Sequence, residues 1–176
     1  LLSKNKSAPQ GVFYVGGCKQ KNLIPLIADG EIDSAYDHTA GYEEYGICTD
    51  NSLPAERYRA FVKIQDGCNG KCSYCIIPYA KGRVRSRKLE SVVKEITEIA
   101  EKGIKEVVIT GIHVASYGID FDNNTRLIDL LEAIQKIDGI KRIRLGSLEP
   151  NIITEEFVNR LKKVTKMCDH FHLSLQ

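Results

Sequence analysis

Apolar and polar residues alternate from Tyr58 to Gln65 (Tyr-Arg-Ala-Phe-Val-Lys-Ile-Gln), which predicts a strand offering Phe61, Val62 and Ile64 to a core. The period then changes. Leu89, Val92, Val93, Ile96, Ile99 and Ala100 return at three- and four-residue steps, so an amphipathic helix is expected, stopped by Gly103. Val107-Val108-Ile109 predicts a second strand running into Thr110-Gly111, and Leu127, Ile128, Leu130, Leu131, Ile134 and Ile137 mark a second helix stopped by Gly139. Ile143 to Leu145 predicts a third strand, which runs into Gly146-Ser147-Leu148-Glu149-Pro150. Thr154 is placed to cap a third helix carrying Phe157, Val158, Leu161 and Val164, with Glu155 and Glu156 in its first turn. Phe171 to Leu175 is expected as a fourth strand. Residues 57–176 therefore read β-α-β-α-β-α-β, and crossovers of this length join parallel strands in an α/β fold.

Upstream the pattern is weaker. Residues 11–17 (Gly-Val-Phe-Tyr-Val-Gly-Gly) suit a short buried strand, 21–28 a helix shortened by Pro25, and 32–36 a second small strand, a segment too short to fold alone. From Asp37 to Glu56 periodicity is lost among Gly41, Gly46, Asn51, Ser52 and Pro54, so a linker is expected, with Cys48 as an incidental thiol. The chain starts on Leu1 and stops at Leu173-Ser174-Leu175-Gln176, within or just after an apolar run. A fragment of something longer is expected: a remnant domain over 1–36, a linker over 37–56 and the start of a larger unit over 57–176.

Composition narrows the class. With 43% hydrophobic and 27% charged residues the chain reads as an ordinary soluble globular protein. No apolar run approaches the ~20 residues that span a bilayer. The opening Leu-Leu-Ser-Lys-Asn-Lys does not resemble a signal peptide. Six Cys without such a signal point to a reducing, cytoplasmic setting and to metal or redox use. A net charge of +2 means that nucleic-acid binding would need a local patch. Lys81, Arg83, Arg85, Arg87 and Lys88 offer one, suited to phosphate contacts or to a solvated surface run.

The candidate chemistry lies directly after the first strand. Asp66 to Cys75 (Asp-Gly-Cys-Asn-Gly-Lys-Cys-Ser-Tyr-Cys) holds Cys68, Cys72 and Cys75 in CxxxCxxC spacing. Structural zinc needs four closed ligands, and no fourth Cys or His lies within a few residues. A disulfide with an odd thiol fits poorly with a chain lacking a secretory signal. An iron–sulfur cluster bound by three thiolates leaves one iron open to a small molecule and fits the count of three. In parallel α/β folds chemistry collects beyond the carboxyl ends of the strands. There this chain places the Cys loop, then Thr110-Gly111-Ile112-His113, then Ser147-Leu148-Glu149-Pro150, then Gln176.

Residues 66–87, in which the Cys run continues as Ile-Ile-Pro-Tyr-Ala-Lys-Gly-Arg-Val-Arg-Ser-Arg, resemble the signature of the radical S-adenosylmethionine (SAM) methylthiotransferases. Gly17-Cys18-Lys19-Gln20 resembles the segment that ends that family's N-terminal domain. Thr110-Gly111-Ile112-His113, Ser116-Tyr117-Gly118 and Arg144 to Pro150 are most similar to the branch that adds a methylthio group at adenine C2 of threonylcarbamoyladenosine in tRNA. Branches acting on isopentenyl-type adenosines or on ribosomal protein S12 are the alternatives. A zinc-stabilised RNA-binding module, with Cys18 or Cys48 as fourth ligand, is the rival from another class.

The resemblance implies a partial TIM-like (β/α) barrel, its first four strands preceded by a remnant α/β domain. It implies that Cys68, Cys72 and Cys75 bind a 4Fe–4S cluster whose fourth iron takes SAM, which is cleaved to a 5′-deoxyadenosyl radical. Tyr74 would pack beside the cluster or the adenine, or serve as a plain aromatic plug. Thr110 and Gly111 would meet the methionine end of SAM, a glycine allowing close approach to the main chain. Ser147 and Glu149 would contact its ribose or carboxylate, and Gln176 is a weaker candidate. His113 is expected to be a hydrogen-bonded structural residue. Cys18 matches one of three ligands of a second 4Fe–4S cluster that delivers sulfur in the family. The partners implied are tRNA, an electron donor and a sulfur source, with no membrane.

Overall fold

The computed structural model describes residues 58–175. The expected elements over 11–36, the linker, Cys18, Cys48 and Gln176 lie outside the described residues. The alternating stretch forms strand β1 (Arg59–Asp66), and a long loop carrying the three cysteines and a short helix α1 (Ile77–Ala80) returns as strand β2 (Arg85–Ser86). Helix α2 (Leu89–Glu101), strand β3 (Glu106–Gly111), helix α3 (Leu127–Ile134), strand β4 (Arg142–Leu145) and helix α4 (Glu155–Leu161) follow. Sheet order is β2-β1-β3-β4, with β1, β3 and β4 parallel and β2 antiparallel to β1. Sequence alone did not reveal β2: its two residues, read as part of a basic run, carry no hydrophobic period.

The helices cover one face of this sheet. Ala60, Val62, Ile64, Val107, Ile109, Ile143 and Leu145 project into a core shared with Val92, Ile96, Leu130, Leu131 and Ile134. Phe61, expected in that core, is 65% exposed on the opposite face. Consecutive strand residues point to opposite sides, so Phe61 and Val62 cannot share one. Helix ends follow local chemistry. Gly103 donates its amide to Ala100 O at 2.9 Å beyond the last turn of α2, and Thr154 Oγ1 accepts the Phe157 amide at 3.2 Å as an N-cap to α4.

The expected fourth strand does not form a ladder. Its segment makes only the isolated parallel bridge Leu148↔Leu173, with Leu148 N–H donating to His172 O (2.9 Å) and Ser174 N–H to Leu148 O (2.8 Å). Strand β4 ends at Leu145, so this stretch meets a loop and not a strand. Phe171, Leu173 and Leu175 stay 44%, 37% and 82% exposed, the apolar edge that an open half-barrel should present.

Candidate active site

The cysteine loop is held shut at its base. Gln65 pairs with Ser86 and Asp66 with Arg85 across β1 and β2. Just inside, the Cys68 amide donates to Gly82 O (3.1 Å) and the Val84 amide to Asn69 Oδ1 (3.0 Å). Gly67 is what allows this closure: its φ is +70°, and a Cβ there would lie 2.0 Å from Arg83 O. Within the loop the Gly70 amide donates to Cys68 Sγ at 3.2 Å. A Cβ on Gly70 would sit 3.2 Å from Cys68 Sγ and 3.9 Å from Cys72 Sγ, so two of the sulfurs face one small space.

All three cysteines line a single cavity of about 610 Å³. Asn69, Gly70, Lys71, Ser73, Pro78, Tyr79 and Arg83 complete its wall. Cys72 is exposed, Cys68 and Cys75 half-buried, and all three thiols are free. Among the described residues no three His, Cys, Asp or Glu side chains converge to hold one metal ion. Three free thiols opening on one cavity are a donor set that fits a cluster bound through three thiolates. Tyr74 is 77% exposed and does not line the cavity.

The loop after β3 stands on the same rim. Thr110 pairs with Lys63, and Gly111 with Gln65 after a register shift between Lys63 and Gln65. A Cβ on Gly111 would lie 2.9 Å from Gln65 Oε1 and 3.0 Å from Gln65 O, so close strand packing accounts for this glycine. The Gly146 amide donates to Ile109 O (2.8 Å), bringing the end of β4 beside Thr110. His113 Nδ1 shares a 2.6 Å hydrogen bond with Ser116 Oγ. Glu149 Oε2 lies 3.4 Å from that nitrogen, buried and without a hydrogen-bond partner. An orphaned carboxylate oxygen here suits a cationic group such as the SAM amine. Ser147 is exposed and meets His172 Nδ1 at 3.0 Å.

The basic run divides. Arg85 and Arg87 are buried: Arg85 faces Asp66 at 3.5 Å, and Arg87 pairs with Glu95 while donating to Lys63 O and Ser91 Oγ, each at 3.1 Å. These two guanidiniums tie the return of the loop to β1 and α2, and are not available to external phosphates. Arg83 and Lys88 remain exposed. Tyr117 is fully buried, and its hydroxyl donates to Arg87 O at 2.8 Å; burial pushes its pKa well above the ordinary phenol value. Gly118, at φ +81°, donates to Ser86 Oγ (2.8 Å), where a Cβ would strike Thr125 O. The segment after His113 is thereby fastened to β2.

The Radical SAM superfamily model matches residues 62–176, from within β1 to the end of the chain. The chain belongs to the radical SAM superfamily. Its cofactors are accordingly a 4Fe–4S cluster and SAM, as the cysteine spacing leads one to expect. It is 42% identical to the tRNA-2-methylthio-N(6)-dimethylallyladenosine synthase of Moorella thermoacetica, over 97% of this chain and 39% of that protein. It is 43% identical to the ribosomal protein uS12 methylthiotransferase RimO of Clostridioides difficile, over 68% of this chain and 27% of that protein. The chain thus spans less than half the length of these relatives. Among solved structures it is similar in fold to the radical SAM methyltransferase TsrM from Kitasatospora setae, with a TM-score of 0.51 and 24% identity over 65% of this chain and 22% of that one. No described helix is long and apolar enough to cross a membrane.

Sequence reasoning missed Gln65. It is wholly buried where the strand pattern calls for nothing in particular, and its amide touches both rim loops. The one signal available was a polar residue immediately before the Asp-Gly that opens the cysteine loop.

Proposed function

We propose that the protein is the radical SAM portion of a tRNA methylthiotransferase that adds a methylthio group at C2 of threonylcarbamoyladenosine beside the anticodon. What carries the reading is the combination of a three-thiol cavity on the carboxyl rim with methylthiotransferase-named relatives of about equal identity. The loop from Thr110 to Gly118 supports the threonylcarbamoyladenosine branch by its resemblance. The names of the relatives favour a second reading, with dimethylallyladenosine in tRNA or ribosomal protein uS12 as substrate.

Cys68, Cys72 and Cys75 would hold the cluster, with the Gly70 amide directed at Cys68 Sγ. When bound, the cluster and SAM supply a 5′-deoxyadenosyl radical able to attack a C–H bond that offers no acid–base handle. Thr110, Gly111, Ser147 and Glu149 would line the SAM side, with Glu149 Oε2 meeting the amine, and Gln176 would stand beyond them. Cys18 would be one ligand of a second cluster in a preceding domain ending near residue 36. tRNA, an electron donor and a sulfur source would be its partners.

Mass spectrometry of tRNA nucleosides and of uS12 from a deletion strain tests the substrate. Loss of the methylthio group from threonylcarbamoyladenosine alone is expected. Loss from dimethylallyladenosine or uS12 instead would assign the second reading. Anaerobic reconstitution of the longest available form should yield bound iron and 5′-deoxyadenosine from SAM, and finding neither would sink both.

A further inference from the structure

Gln65 is fully buried at the point where β1 hands over to the cysteine loop. Its Nε2 donates to Asp66 O (2.8 Å) and to Gly67 O (2.6 Å), the two carbonyls directly before Cys68. Its Oε1 accepts the backbone amide of His113 at 2.8 Å, from the loop that follows β3. Gly111 provides the room, since a Cβ there would press on both Oε1 and the Gln65 carbonyl. The pairing of β1 with β3 shifts register between Lys63 and Gln65, an irregularity of the kind that re-aims a side chain beside an active site.

A buried amide costs desolvation unless its donors and acceptor are matched, and an apolar residue would fill the space without that cost. Here all three contacts are made, and they join two loops that no ladder hydrogen bond connects beyond Gly111. We propose that Gln65 is a positioning residue that sets the distance between the cluster-binding loop and the His113 loop, and thereby the binding of SAM between them. This role follows from the superfamily's cofactors and is independent of which substrate receives the methylthio group.

Substitutions that leave the length of the side chain and change its bonds separate this role from mere packing. Gln65→Glu keeps an acceptor for the His113 amide but turns an oxygen toward the Asp66 and Gly67 carbonyls. Gln65→Met keeps the length and makes neither contact. In the full-length, anaerobically reconstituted protein both variants should bind iron as the parent does. Deoxyadenosine release, measured with chemical reductant and no methyl acceptor, should show the SAM KM raised about tenfold in both, with kcat changed less, which corresponds to ~1.4 kcal/mol of lost binding. Hydrogen exchange of the apo chain should be faster at the His113 amide in Gln65→Met and unchanged there in Gln65→Glu, while Cys68 and its neighbours exchange faster in both. A native SAM KM in iron-loaded Gln65→Glu overturns the role by itself, even if Gln65→Met fails to fold. An activity loss that only tracks lost iron overturns it as well. Because no methyl acceptor is present, an error over the tRNA substrate cannot produce either result.

Discussion

At their amino ends β1, β3 and β4 set Arg59, Glu106 and Arg142 in one row, whereas at their carboxyl ends the same strands release Cys68, His113 and Glu149 into loops. The polar groups of the first end satisfy one another. Glu106 is 6% exposed on the face without helices and receives Arg142 Nε at 2.7 Å and Arg144 Nε at 3.3 Å, with Arg59 Nε at 4.0 Å. The hydrogen bond from Arg142 holds its pKa below the ordinary carboxylate value, against the opposing effect of burial. At the other end the thiols are free and a buried oxygen of Glu149 lacks a hydrogen bond. One end spends its charges on strand register, and the other leaves its donors and acceptors for ligands.

The largest effects that test this division belong at the carboxyl end. Cys72→Ala, or the same change at Cys68 or Cys75, should abolish the cluster absorbance and all deoxyadenosine formation. The apo circular dichroism should match the parent's, and the unfolding free energy should stay within about 0.5 kcal/mol of it, the usual range for a change outside the core. A Tm as low as that of a core mutant would show that the rim also holds the fold, and would break the comparison.

Glu106→Gln should do the reverse. Removing the charge leaves guanidiniums facing one another, and a loss of about 2 kcal/mol is expected, a Tm drop of roughly 5–10 °C. SAM cleavage per bound cluster should be unchanged at low temperature. The pH dependence follows in sign from the lowered pKa: this carboxylate stabilises the fold fully above its ordinary value of 4.5, and the contribution is lost as pH falls through the depressed folded-state value. Denaturant titrations of parent and variant should therefore converge on acidification below about pH 4.5. A stability gap that stays constant or widens in acid would remove Glu106 from the account.

The difference between the ends also explains what was legible in the sequence. Helices α2, α3 and α4 and the cores of β1, β3 and β4 were readable because burial against a single face imposes a period on apolar residues. Thr154 and Gly103 were readable because cap chemistry is local. The spacing of the cysteine loop marked it as a candidate metal or cluster site, and its Ile-Ile-Pro-Tyr-Ala-Lys-Gly continuation carried the family resemblance. Long-range polar pairings leave no such trace. Arg85 and Arg87 look like surface charge until β2 folds back and turns them inward, and Gln65 gains its meaning from Gly67 on one side and His113, forty-eight residues on, at the other. Phe61 was misjudged because its face of the sheet has no helix to pack against. The stretch from Phe171 has the composition of a strand, but its partner, Leu148, lies in a loop.

The smallest prediction tests which contacts matter at the amino end. Arg59 stands at the limit of ion-pair range from Glu106, with a side chain 56% exposed, whereas Arg142 is equally exposed yet hydrogen-bonded at 2.7 Å. Exposure is therefore matched and geometry differs. Solvent screening leaves a loose, exposed pair with little net value, so Arg59→Ala should cost no more than about 0.5 kcal/mol. Arg142→Ala should cost measurably more, because it removes the bond that Glu106 was buried to make. A double-mutant cycle with Glu106→Gln isolates each pairing. Coupling near zero for Arg59 and clear coupling for Arg142 would place the register lock between β3 and β4; equal coupling would extend it to β1, and with it to the strand that delivers the cysteine loop.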